Sequence, residues 1–241
     1  MKRLLLPLLL AAAPVAAAPY EQCLAEAKSA PEKAIATATA WRLAGGGVPA
    51  RHCLGIAYVA AGKFGQGALA FEQAARAAEA AKTTASGELW SQAGNAALLG
   101  GDAEKALEYF NAALVASAGD AQRQGNVLID RARAAVELGK LDEAKDDLDK
   151  AVKLAPAAPD GWLLRATLAR KDGRYDDAQR DVDAALKLVP ADPDVLLEAG
   201  NIAGLLGDTD TAKARWEAAV KADPKSEAGK AAAKALAANV L

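Results

Sequence analysis

Residues 139–156 read GKLDEAKDDLDKAVKLAP, and residues 173–190 read GRYDDAQRDVDAALKLVP. A third stretch, GDTDTAKARWEAAVKADP, occupies 207–224, so the step from Gly139 to Gly173 is repeated without change from Gly173 to Gly207. A fixed period of this length marks a stack of supersecondary units, each able to bury its apolar face only against its neighbours. Two weaker copies come earlier, GDAEKALEYFNAALVASA at 101–118 and GKFGQGALAFEQAARAAE at 62–79, and their steps are slightly wider than the regular period. The four or five extra residues are expected after the second helix of a copy, near Thr83 to Ser86 and Asp120 to Gln124.

Each column of the repeat has a physical reason. Gly62, Gly101, Gly139, Gly173 and Gly207 stand where one helix must stop and turn, a place for the left-handed conformation that glycine adopts without steric cost. Upstream of them, at a constant interval, lie Gly55, Gly94, Ala132, Ala166 and Gly200, and downstream lie Gly67, Ala106, Ala144, Ala178 and Ala212. Small side chains at both places let two antiparallel helices approach closely. Phe71, Phe110, Leu148, Val182 and Trp216 then supply bulk to fill the gap between hairpins, and Pro156, Pro190 and Pro224 close the second helix of the three regular copies.

With Trp90 and Trp162 near the start of the first helix, these columns resemble the tetratricopeptide repeat family over roughly residues 48–226. The first copy departs from the pattern, with Arg51 in the tryptophan column, Gly67 in the alanine column and no closing proline. The resemblance implies an all-α fold: a right-handed α-α superhelical solenoid of about five helix-turn-helix repeats with capping helices at both ends. Residues 18–47, interrupted at Pro31 and followed by Gly45-Gly46-Gly47, read either as N-terminal capping helices or as a degenerate repeat. Residues 227–241 read as a C-terminal capping helix, with Gly229, Ala233, Leu236 and Val240 as its packed stripe.

The chain opens MKRLLLPLLLAAAPVAAAPYEQC, with Lys2 and Arg3 ahead of an apolar run that closes on small residues. This is the layout of an export signal, and Val15 and Ala17 place its cut after Ala17. The run is short and broken by Pro7 and Pro14, which argues against a permanent membrane anchor. Tyr20, Glu21 and Gln22 before Cys23 are not the small residues that precede a lipidated cysteine. The remaining chain is expected to be exported, most simply to a periplasm, without stable membrane insertion. Losing Lys2 and Arg3 lowers the basic residues from 29 to 27 against 31 acidic ones, a net charge of −4 that attracts neither nucleic acid nor an anionic membrane surface.

No arrangement of catalytic, cofactor-binding or metal-ligating residues emerges. His52 is the single histidine and has no nucleophilic or acidic partner in motif spacing. GKFGQG at 62–67 lacks the Lys-Ser or Lys-Thr ending of a phosphate loop, and the turn column already accounts for Gly62. Asp142, Glu143, Asp146, Asp147 and Asp149 alternate with Lys145 and Lys150 along one helix, a solvated face rather than a calcium loop. Arg131 and Arg165 fall in one column and Asp147 and Asp181 in another, in the same two copies only, which predicts an ion pair inside each hairpin.

Cys23 and Cys53 are separated by nearly one repeat period. If residues 20–44 are a degenerate repeat, the two lie on neighbouring first helices, and an oxidising compartment favours a structural disulfide between them. The C-x-x-C spacing of a thiol-dependent redox enzyme is absent.

In the family, ligands lie in a concave groove lined by the first helices. The resemblance carries this to a set centred on Asn95, Leu98, Ile129, Arg133, Leu163 and Thr167, with His52, Ile56 and Arg170 in the same columns. Only Asn95 and Arg133 match the family's carboxylate clamp. Arg133 has two readings, a cation that orients an acidic group of the ligand or a partner of Glu137 one helical turn along. The favoured function is an exported, non-enzymatic scaffold that holds a peptide segment of another envelope protein. The alternative is a self-associating structural protein of the envelope. If the export reading holds, intact mass of protein recovered from the envelope fraction will place the N-terminus at Ala18. A chain beginning at Met1 contradicts it.

Overall fold

The computed structural model describes residues 19–238, which form thirteen α-helices and no strand; the expected signal segment 1–17 and Val240 lie outside the described residues. After α1 (Pro19–Ser29) and α2 (Pro31–Leu43) come five helix pairs. They are α3 (Gly47–Ala60) with α4 (Phe64–Ala80), α5 (Ser86–Leu99) with α6 (Ala103–Ala116), and α7 (Ala121–Glu137) with α8 (Leu141–Leu154). Next are α9 (Pro159–Lys171) with α10 (Tyr175–Leu188) and α11 (Pro193–Leu205) with α12 (Thr209–Ala222), and α13 (Glu227–Ala238) follows. Each second helix packs on the first helix of the next pair, so the pairs stack in chain order.

The five turn glycines all take left-handed backbone, with φ between +71° and +83°. In every turn the amide of the residue after the glycine reaches back to the last turn of the first helix, as in Lys63 N to Tyr58 O at 2.8 Å and Arg174 N to Ala169 O at 2.9 Å. This closes the first helix in the Schellman manner. That same residue also opens the second helix. At Asp102 and Asp208 its carboxylate accepts the amides of Lys105 and Thr211, each at 3.0 Å, so one side chain caps the helix that its backbone has just entered.

The bulky column does not fill the space between hairpins, as the spacing suggests, but the space inside each one. A Cβ added at Gly55, Gly94 or Gly200 would stand 2.5–2.6 Å from the ring of Phe71, Phe110 or Trp216 respectively. Where the small residue is alanine, as at Ala132 and Ala166, its counterpart is the slimmer Leu148 or Val182. Glycine faces an aromatic ring and alanine faces an aliphatic chain, so the smaller residue meets the larger partner and each contact stays close-packed.

The extra residues of the early copies do not form long loops. The first set extends the C-terminal end of α4 and the second the N-terminal end of α7, each helix reaching 17 residues. An added turn of helix satisfies its own backbone, which a buried loop cannot do.

Both predicted ion pairs are present and bidentate. Arg131 holds Asp147 at 2.6–2.7 Å, and Arg165 holds Asp181 at 2.6–2.8 Å. Each arginine also reaches back to the previous hairpin, Arg131 to Asn111 at 2.6 Å and Arg165 to Asp149 at 3.0 Å. Asn111 and Asp149 share one column of the repeat, directly after the bulky residue. One copy earlier that column holds Glu72, and Tyr109 reaches it with its hydroxyl at 2.7 Å. Three successive hairpin interfaces therefore carry a side-chain link at the same place.

At the N-terminal end α1 lies beside α3, and buried Cys23 and Cys53 are joined with their Cα atoms 6.3 Å apart. At the other end the packed stripe of α13 differs from expectation. Ala228, Gly229 and Ala232 are buried with Leu236 against the last pair, whereas Ala233 faces outward. Gly229 decides this rotation, because a Cβ there would come within 1.9 Å of the Asp223 carbonyl oxygen.

Exchange of volume within a hairpin yields a direct test. Gly94→Ala should overpack Phe110 and cost about 1–3 kcal/mol in thermal or denaturant unfolding. The double change Gly94→Ala with Phe110→Leu recreates the Ala132–Leu148 combination of the next copy and should recover part of that loss. Additive costs in the double variant would refute the volume match.

Candidate functional site

The first helices α3, α5, α7, α9 and α11 lie side by side, and a ladder of polar contacts runs across the last four of them. Asn95 on α5 donates to Asp130 on α7 at 3.2 Å. Asp130 also pairs with Arg133 at 2.6 Å, and Arg133 reaches Asp160 on α9 with its other terminal nitrogen. Arg170 on α9 pairs with Glu198 on α11 at 2.7 Å. Burial pushes the Asp130 carboxyl upward, against the pull of Arg133 and Asn95.

Of the six residues expected in the groove, Arg133, Leu163 and Thr167 line one depression between α7, α9 and α11. Asn95 is half-buried in the ladder, and Leu98 packs against the core of the α5–α6 pair. Ile129 is only 3% exposed and packs under α9, where Gly161 leaves room for its Cδ1. It belongs to the core between hairpins; Arg133 stands one turn along, only ~40° around the helix, but its length carries the guanidinium out of that core to Asp130 and Asp160. Arg133 pairs with Asp130 and Asp160 rather than with Glu137.

The acidic side of the depression lies outside the expected set. Asp160, Asp192 and Asp194 form it, with Leu163, Leu164 and Val195 as apolar floor, around a volume of about 320 Å³. Asp160 and Asp194 stand one full period apart and hold the same column of neighbouring copies, a signal present in the repeat alignment. Asp192 accepts the amides of Asp194 and Val195 at 3.0 Å and caps α11. Burial and the nearby charges of Asp192 and Asp160 raise the Asp194 carboxyl.

A second depression sits at the N-terminal end, walled by Tyr20, Trp41, Val48, His52 and Leu89. The Tyr20 hydroxyl is 2.6 Å from His52 Nδ1, and the imidazole packs between the Tyr20 and Phe71 rings with both centroids 5.8 Å away. Burial lowers the His52 pKa, with Gln92 and Glu88 acting in the opposite direction. Its place is that of a half-buried ring in a hydrogen-bonded wall. Among the described residues no group of three or more His, Cys, Asp or Glu is placed to hold a metal ion.

Antiparallel helix pairs stacked in register, each closed by a left-handed glycine, define a helical-repeat solenoid. The chain belongs to the tetratricopeptide repeat family, whose pattern matches residues 54–121, 129–194 and 163–203, while a second pattern of the same repeat matches 194–226. No curated protein sequence matches it. Among solved structures, pilF of Pseudomonas aeruginosa is similar over 88% of this chain and 94% of its own, at 16% identity and a TM-score of 0.69. A thermophilic tetratricopeptide protein of Thermus thermophilus is similar over 78% and 98%, at 22% identity and a TM-score of 0.61. YrrB, described as having an unusual peptide-binding site, is similar over 81% and 96%, at 16% identity and a TM-score of 0.54. These likenesses establish the superhelical solenoid fold, and the family match places the chain among repeat scaffolds that are generally not enzymatic.

The lowered His52 pKa sets a sign for stability against pH. The folded state binds this proton less readily than the unfolded chain, so stability falls as pH drops through the ordinary histidine value of 6.5. Replacing His52 with Gln should flatten the melting-temperature profile between about pH 7 and pH 5 relative to the unsubstituted protein. An unchanged slope would show that His52 is not linked to folding.

Proposed function

We propose that this chain is an exported, non-catalytic scaffold that holds a segment of another envelope protein across its first helices. The observation that carries the reading is the depression between α7, α9 and α11. Three neighbouring hairpins contribute to it, and its apolar floor at Leu163, Leu164 and Val195 is bordered by charged side chains. An apolar strip supplies affinity by burial, and a polar border fixes register. Export is supported by the leader-like sequence that ends at Ala17 and by the Cys23–Cys53 bond, which persists in oxidising compartments.

A photo-crosslinking residue placed at Leu163 tests this in cells. It should capture a discrete partner from the envelope, whereas the same residue at Asp183, exposed on α10, should not. Capture from Asp183 alone would move the binding surface to the second helices. Alkylation of the isolated native protein should find no free thiol, and two labelled cysteines would remove the support for an oxidising compartment.

A further inference from the structure

We infer that the depression between α7, α9 and α11 receives a lysine or arginine side chain, so the partner segment is a basic residue flanked by apolar ones. This rests on the first-helix face being the binding surface and specifies what that surface takes.

One of the two readings the sequence leaves open for Arg133 has the opposite polarity, a cation awaiting an acidic ligand. In the structure Arg133 is already engaged by two carboxylates, Asp130 at 2.6 Å and Asp160 on the next first helix. Around the same space stand Asp192 and Asp194. The side chains lining the space are one cation and three acids, a charge of −2, and Asp130 behind Arg133 adds a further acid. An incoming carboxylate would have to displace an existing pair and meet the remaining acids, which costs more than one charge-assisted hydrogen bond returns.

A cation fits what is left. Asp160 and Asp194 each lie in the first turn of a helix, where the dipole favours a negative charge, and this accounts for either one singly. Their shared repeat column is what brings them to one depression, and Asp192 adds a third acid as the cap of α11. The upward shift of Asp194 has Asp192 and Asp160 among its causes, so the carboxylates feel each other across the space. A positive group there relieves that repulsion. The floor of Leu163, Leu164 and Val195 suits the methylene stem of a long basic side chain, whose charged end stays at the polar rim. The volume of about 320 Å³ admits one such chain. The acids border the floor rather than converging on a point, and no metal-holding group is found among the described residues. The occupant of this surface is therefore a side chain with an apolar stem, carried on a protein segment.

The probe is a pair of acetylated, amidated nonapeptides of alternating leucine and serine, identical except for a central lysine or glutamate. Titrated into the isotope-labelled full chain, the lysine peptide should shift the amides of Leu163, Thr167, Asp194 and Val195. It should bind at least about tenfold more tightly than the glutamate peptide, and this preference should shrink with added salt. Asp194→Asn, which leaves both Arg133 pairs intact, should reduce the preference severalfold without moving the melting midpoint. Asp194→Glu should keep it. Equal binding of the two peptides, or shifts centred on Arg133 with the glutamate peptide, would overturn the inference. So would undiminished capture from the Leu163 crosslinker in Asp160→Asn/Asp194→Asn protein, an outcome that leaves the groove itself standing. A doubled mass by light scattering that reverts in the same variant would assign the surface to a second copy and also overturn it.

Discussion

The distance between the two helices of a hairpin governs everything else in this molecule. It is set by one contact, a glycine or alanine on the first helix facing a ring or aliphatic chain on the second, and the two vary together from Gly55–Phe71 to Ala166–Val182. Because the smaller residue meets the larger partner in each hairpin, every hairpin stays close-packed, and the hairpins stack in chain order. The left-handed turns then fix the direction in which each second helix departs. A regular stack places equivalent residues of neighbouring copies next to one another, and that adjacency is the source of both the structural ladder and the candidate binding surface.

Alanine is abundant in this core, so apolar burial per hairpin is modest and polar contacts have an unusual share in defining the interfaces. Arg131 and Arg165 each tie a first helix both to its own second helix and to the hairpin before it. Such networks specify geometry more than they add free energy, since desolvating the ions consumes much of the attraction. Tyr109 makes an equivalent link to Glu72 with an uncharged donor at the earlier interface, and burial together with that carboxylate holds its hydroxyl protonated well beyond the ordinary range. The position is constrained by architecture, and its chemistry is free to vary.

The fold is legible in the sequence because its determinants are periodic: turn glycines, small columns and bulky columns recur at one spacing. The Arg131–Asp147 and Arg165–Asp181 pairs are legible for the same reason. How helices are rotated and lengthened is not. Ile129 and Arg133 lie one turn apart on nearly the same side of α7, yet the first is buried against α9 and the second reaches out to Asp160. Ala233 fits a helical stripe on spacing alone, whereas in the structure Gly229 and Leu236 stay packed and the stripe passes through Ala232 instead, with Gly229 close against Asp223. Spacing pairs Arg133 with Glu137 because both lie on one helix, whereas its partner Asp160 lies on another. A single chain reveals which residues recur. It does not reveal which neighbour satisfies a charge.

The two ends of the stack are secured by different means. At one, a covalent bond pins α1 to α3, and the neighbouring Tyr20–His52 contact closes over it. At the other, α13 packs through Ala228, Ala232 and Leu236, with Gly229 in close approach to Asp223. In a linear array where each unit is supported only by its neighbours, disorder enters from whichever terminus yields first. The molecule is thereby given a polarity that its repeating pattern lacks, one end cross-linked and the other without that bond. The acid-lined surface lies toward the second, where a segment bridging α7, α9 and α11 would tie three hairpins together non-covalently.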